Sequence, residues 1–295
     1  MGAENGRRNV GIQKVGVVGC GLMGSGIAEA SARAGLDVCV VDLDRASLER
    51  GQERVTLSIG RAQSAGKLSA TDAEAALGHI VFSDDIAALY DRQLVIEAVV
   101  ESESEKLDVF ESLDKIVEDP VAILASNTSS IPIMKLAMAT SRPSQVIGIH
   151  FFNPVPVLPL VELVSSLLTS DETATSAQRF ATDQLGKQVI RSQDRAGFIV
   201  NALLVPYILS AIRMLESGFA TAEDIDLGMV KGCAHPMGPL HLADLIGLDT
   251  TMAVANSLYE EFKEPLFAPP PLLARMVDAG LFGRKSGRGF YSYKT

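Results

Sequence analysis

The chain has no tryptophan, and only three cysteines and four histidines among its 295 residues. Without tryptophan, indole fluorescence reports neither folding nor cofactor binding. Cys20, Cys39 and Cys233 are too few for a disulfide framework and lack metal-ligand spacing. No metal is expected, and a reducing cytoplasm suits the chain. Positive charge is in deficit: 26 Lys and Arg against 36 Asp and Glu give a net charge of −10. Such a chain is a poor general partner for nucleic acid or an anionic membrane, so a polyanionic ligand has to be met by local positive charge. Long apolar runs are also missing, and none approaches the ~20 residues that span a bilayer. The first thirteen residues are polar, carry Arg7 and Arg8, and lack a signal-peptide centre; they read as a frayed tail.

What is present is 47% hydrophobic and 21% charged, ample for sizeable cores, and the length suits two domains. Short β-branched runs at 15–18, 38–41, 94–98, 123–126 and 146–149 read as buried strands, with a further short one at 80–82. Helix-like segments at 24–34, 45–64, 69–77, 105–118 and 132–139 alternate with them. This alternation predicts an α/β, Rossmann-type doubly wound, mainly parallel sheet. The stretch 45–78 is long for one crossover; two helices joined near Gly66 account for it, and such insertions often carry ligand contacts. After a last strand at 188–190 the alternation stops. The segment 201–217 is apolar around much of its circumference, suiting a helix buried between helices or between subunits. Helices follow at 221–231, at 240–262 with a break at Gly247, and at 272–279. The expected organisation is a nucleotide-binding domain over 1–192 and an all-helical domain over 193–295, the latter joining two copies in a homodimer.

Gly19-Cys20-Gly21-Leu22-Met23-Gly24 follows a strand and opens a helix. The first glycine permits a tight turn, the second lets a pyrophosphate approach, and the third lets helix and strand pack closely. Leu22 and Met23 begin the helix whose free N–H groups would face the phosphates. Asp42 ends the next strand, about 20 residues on, where an acidic side chain suits the ribose hydroxyls. It would repel a 2′-phosphate, favouring NAD, although nearby Arg45 leaves NADP open.

His150 ends an apolar strand before an aromatic, proline-rich turn, and Glu162 lies in the next apolar run, 160–164. Histidine moves protons near neutral pH and works best when a second group fixes its tautomer. Glu162 does that if the chain folds back across the turn. Residues 126–130, Ser-Asn-Thr-Ser-Ser, follow another strand and would open at the same sheet edge, where ligands bind. Taken alone, they are equally a polar turn and helix cap. A nucleotide turn with a histidine–carboxylate pair predicts a dehydrogenase acting on an alcohol.

At these segments the chain resembles the 3-hydroxyacyl-CoA dehydrogenase family in its stand-alone bacterial form. The matches are 15–26, 96–101, 125–130, 148–162, 192–207, 235–240 and 283–291; Gly-Ile-His-Phe-Phe-Asn-Pro-Val-Pro and Gly-Phe-Ile-Val-Asn are the most specific. The resemblance implies interconversion of 3-hydroxybutyryl-CoA and acetoacetyl-CoA, with an acyl-CoA substrate. It implies His150 as general base, Glu162 as its orienting partner, and Ser129 and Asn201 as donors to the reacting oxygen and the thioester side. Glu101, Lys106, Ser129 and Asn153 fall at cofactor positions, and Ser58 and Lys67 at CoA positions in the helical insertion. For Glu101 and Lys106 a solvated helix start is the alternative, and Glu97 reads as either structural or a cofactor neighbour. His235 and His241 read as structural, and Arg284, Lys285 and Arg288 as a solvated cluster. Longer 3-hydroxyacyl-CoA chains, a free hydroxy acid, or a non-enzymatic role like that of related lens crystallins stay open.

Overall fold

The structure, a computed structural model, describes residues 11–293. The expected frayed tail therefore falls mostly on residues 1–10, outside the described residues. The chain divides into two compact units, one ending at Asp194 and one beginning at Arg195.

The first unit is built on one eight-stranded sheet. Its strands are β1 (Lys14–Val18), β2 (Asp37–Val41), β3 (Ile80–Ser83), β4 (Leu94–Glu97), β5 (Ile123–Ser126), β6 (Val146–Phe151), β7 (Leu160–Ser165) and β8 (Gln188–Gln193). They lie in the order β3-β2-β1-β4-β5-β6-β7-β8. Every adjacent pair is parallel except β6 and β7. The inner strands are Val- and Ile-rich because helices cover both faces; Val15, Val17, Leu94, Ile96 and Leu124 are fully buried. The winding reverses between β1 and β4, opening a crevice at their carboxyl ends.

Helices α1 (Leu22–Arg33), α2 (Arg45–Ser64), α3 (Ala70–Gly78), α4 (Glu103–Ile116), α5 (Ile133–Met138) and α6 (Asp171–Arg179) complete this unit. Asp44 caps α2 and Ser69 caps α3 through side-chain oxygens. The expected two-helix insertion is present, with Gly66 in left-handed conformation at the turn. Helix α6 has no counterpart in the sequence reading. It buries Thr173, Ala174 and Ala177, residues too small and polar to write an apolar stripe.

The second unit is helical: α7 (Val200–Glu216), α8 (Ala222–Gly232), α9 (Pro239–Ile246), α10 (Leu248–Phe262) and α11 (Pro271–Asp278). Ile208, Leu209, Ile212, Leu240, Leu258 and Leu273 form its buried centre. Gly247, at φ 105°, separates α9 from α10 as expected. The opposite side of α7 is not buried within the unit, since Leu203 is 73% exposed. Two buried aspartates tie down the C-terminal segment. Asp244 accepts the backbone N–H groups of Phe290 and Tyr291 and the Tyr293 hydroxyl. Asp226 accepts Tyr291 Oη–H and the ring and backbone of His241. No helix among the described residues is long and apolar enough to cross a membrane.

Candidate active site

The glycine turn is shaped by close approach. Gly19 sits at φ 96°, and a Cβ there would lie 2.6 Å from the Ala98 carbonyl oxygen. A Cβ on Gly24 would lie 1.8 Å from the Gly19 oxygen. At Gly21 a Cβ would meet nothing within 4 Å, so the backbone borders open space. Helix α1 begins there with no side-chain cap and no acid in its first turn. Its first N–H groups and partial positive charge are those of a phosphate cradle. A cavity of about 570 Å³ adjoins the turn, lined by Gly19, Gly21, Asp42, Asp44, Val99 and Asp108 among others. Asp42 accepts the N–H groups of Cys20 at 2.8 Å and Asp44 at 3.1 Å, which fixes its carboxylate at the cavity wall. Arg45, which left NADP open, points elsewhere: it is exposed and faces Glu49 at 3.7 Å. Burial, reinforced by Asp42, pushes the Cys20 thiol up to about 11, so it is packing rather than a nucleophile. The residues present fit a dinucleotide.

His150 and Glu162 are direct partners across the antiparallel β6–β7 pair. Nδ1 of His150 lies 2.7 Å from Glu162 Oε2, and Nε2 lies 3.2 Å from Ser129 Oγ. His150 is 4% exposed and Glu162 fully buried. The Phe152 ring lies 4.7 Å from the imidazole. Asn127 joins the two loops, its side-chain oxygen accepting the Phe151 N–H at 2.9 Å.

Glu101 keeps an exposed edge, whereas Lys106 is not part of a solvated helix start, being only 1% exposed. Its Nζ lies 2.5 Å from Glu97 and 3.2 Å from Glu101. Glu101 Oε1 accepts from the Thr128 hydroxyl, the N–H groups of Ser129 and Ser130, and the Ser130 hydroxyl. Burial works to raise this carboxyl, but Lys106 and those hydrogen bonds outweigh it and hold it below the usual range.

A second pocket of about 220 Å³ lies beside α1, lined by Leu22, Ser25, Arg54, Ser58, Arg61 and Asn153 among others. The structure thus brings Ser58 and Asn153 together. Lys67 is apart from them, exposed in the turn after α2. The two arginines were missed in sequence, yet 54, 58 and 61 have i, i+4, i+7 spacing and share one helix face. Arg54 also donates to the Cys20 carbonyl at 2.5 Å, bracing the glycine turn from outside.

A family model for the NAD binding domain of 3-hydroxyacyl-CoA dehydrogenase matches residues 14–195, and one for the C-terminal domain matches 197–293. The chain belongs to the 3-hydroxyacyl-CoA dehydrogenase family. It is 60% identical over 282 residues to a 3-hydroxybutyryl-CoA dehydrogenase of Mycobacterium tuberculosis, covering 96% of this chain and 99% of that one. A crystal structure of (S)-3-hydroxybutyryl-CoA dehydrogenase from Ralstonia eutropha superposes with a TM-score of 0.90 at 46% identity, covering 96% and 100% of the two chains. The mitochondrial hydroxyacyl-coenzyme A dehydrogenase of Homo sapiens is 42% identical, covering 96% and 92%. As a 3-hydroxyacyl-CoA dehydrogenase family member, the chain is an oxidoreductase with an NAD-binding first unit.

In the second unit of this family member, Asn201 lies in the first turn of α7. Gly197 at φ 71° and Phe198 at φ 50° make the left-handed turn that precedes it. His241 is held by Asp226 at 2.6 Å and stacked on Tyr291 at 3.7 Å, and Tyr207 lies 3.2 Å from His235. The basic cluster is exposed, as expected for a solvated one, although Lys285 also pairs with Asp249 and Arg284 lies over the Tyr293 ring.

Proposed function

We propose that this protein interconverts 3-hydroxybutyryl-CoA and acetoacetyl-CoA with NAD, with His150 moving the proton. The observation that carries the reading is the line Ser129–His150–Glu162, at 3.2 and 2.7 Å. With Glu162 accepting from Nδ1–H, the Nε2 lone pair faces Ser129. NAD, when bound, accepts the hydride that leaves C3 of the hydroxyacyl chain. As the C3–H bond breaks, His150 Nε2 takes the hydroxyl proton and C3–O becomes a carbonyl. Glu162 stays ionised and offsets the imidazolium charge. Ser129 donates to the oxygen where negative charge develops in the reverse direction, and Asn201 is assigned the thioester side. The imidazolium then returns its proton to the forming alkoxide. The mutual support of the family relationship and this geometry favours an enzyme over a crystallin-like role.

Glu101 and Lys106 are assigned to the nicotinamide ribose, and Asp42 to the adenosine ribose. Ser58 is assigned to CoA, with Arg54 and Arg61 supplying the local positive charge that a −10 chain needs for a polyanion. Lys67 is left an outer contact. His150→Ala is expected to lower kcat by about 10²- to 10⁴-fold, the usual worth of a general base, while NADH still binds. Unchanged turnover in that variant would sink the mechanism. A homodimer through α7 accounts for exposed Leu203 and for Phe219, 79% exposed; sedimentation showing only monomer at micromolar concentration counts against it. Three unpaired thiols agree with a cytoplasmic setting.

A further inference from the structure

Glu97 ends β4 at the switch point, yet its side chain is fully buried. Its Oε1 accepts Lys106 Nζ at 2.5 Å and the Val99 N–H at 2.7 Å. Its Oε2 accepts the Ser126 hydroxyl at 2.6 Å, and its backbone carbonyl accepts the Asn127 N–H at 2.9 Å. Ser126 Oγ in turn accepts the Thr128 N–H at 3.1 Å. One carboxylate therefore holds both sides of the centre. On one side are Lys106 and, through it, Glu101. On the other is the loop that carries Ser129 to His150 and, through Asn127, grips the end of β6.

A buried charge is a poor way to stabilise a strand end. An apolar residue of similar size is often as stable or more so, because two ions must be stripped of water to make the pair. The other three residues of β4, Leu94, Val95 and Ile96, are apolar and fully buried, as packing alone favours. What a charged pair adds is a fixed geometry, and here it is spent on two loops that must meet the cofactor and the substrate together.

We infer that Glu97 is a positioning residue: it sets Lys106 at the cofactor site and, through Ser126, sets Ser129 against His150. The inference rests on the dehydrogenase reading above. Without the Glu97 charge, the buried Lys106 ammonium has Glu101 as its carboxylate partner. Drawing Glu101 toward Lys106 loosens its grip on the N–H groups of Ser129 and Ser130.

The test compares wild type, Glu97→Gln, Lys106→Met, the double variant and Ser126→Ala in the full-length chain. NADH affinity is read from the cofactor's own fluorescence, kcat and KM from acetoacetyl-CoA reduction, and folding from Tm. Glu97→Gln is expected to lower kcat about 10- to 100-fold, the effect of a small misplacement, with KM for acetoacetyl-CoA little changed. Its NADH affinity should fall as far as that of Lys106→Met, and the double variant should be no weaker than the worse single one, since both break one link. Ser126→Ala keeps the ion pair, so it should lose kcat but keep NADH affinity. A Glu97→Gln protein with wild-type kcat and NADH affinity and only a lower Tm would overturn the inference. If that variant does not fold, wild-type kcat in Ser126→Ala overturns it instead. A wild type without acetoacetyl-CoA turnover would count against the reaction, and additive losses in the NADH-binding cycle would then refute the positioning role.

Discussion

At the residue scale, the glycine turn gives the sharpest contrast. Gly21 and Gly24 belong to one motif but stand in opposite surroundings: open space at Gly21, a carbonyl oxygen 1.8 Å from a Cβ at Gly24. Gly24→Ala should cost about 1–3 kcal/mol or more by overpacking and lower Tm. Gly21→Ala should leave stability within about 0.5 kcal/mol of wild type but weaken NADH binding, because its methyl enters the phosphate space. Thermal melts with and without NADH check both; equal loss of Tm in the two variants would contradict the assignment. These glycines were legible in the sequence because their spacing is local. So was His150, whose pairing with Glu162 needed only a strand that folds back, and the observed register sets the two directly opposite. Arg54 and Arg61 were not singled out, and Glu97 was left open between a structural role and a cofactor neighbour. Glu97 and Arg54 take their meaning from partners far along the chain, Ser126 and Cys20.

At the element scale, the inner strands announced themselves because burial on both faces favours apolar, largely β-branched runs such as those of β1 and β4. Helix α6 did not, since Asp171–Arg179 is polar and buries only small side chains. The C-terminal segment of the second unit was also opaque. Its anchorage depends on buried Asp226 and Asp244, whose burial no local sequence pattern signals. A pH dependence follows from that anchorage. Burial, with the hydrogen bond to Asp244, pushes the Tyr293 hydroxyl up to about 12, against about 10 in an unfolded chain. A raised folded-state value means that the folded form holds its proton more tightly. The contribution is therefore complete below about pH 10 and is lost as pH rises toward 12. Wild-type stability should fall more steeply than that of Tyr293→Phe between about pH 10 and about pH 12, measured by chemical unfolding. Parallel curves would show that the Asp244 contact does not hold this segment.

At the scale of the whole molecule, function lies in how few cations an acidic chain places and where. Lys106 is buried against two carboxylates, Glu97 and Glu101, and Arg54 and Arg61 line the second pocket. Four carboxylates, Asp42, Asp44, Glu105 and Asp108, line the cavity beside the glycine turn, and their charge would repel a 2′-phosphate there. The fold class and the family's chemistry were readable at this scale from strand–helix alternation and two long motifs. The placing of Ser58 with Asn153, and of Lys67 away from both, required the path of α2 past α1. The most direct test of the account is NADH oxidation followed at 340 nm with acetoacetyl-CoA, with NADPH and free acetoacetate in parallel. Turnover with NADH and the CoA ester, and little with either substitute, is the predicted result. A folded protein that oxidises NADPH equally well, or that reduces neither substrate, would contradict it.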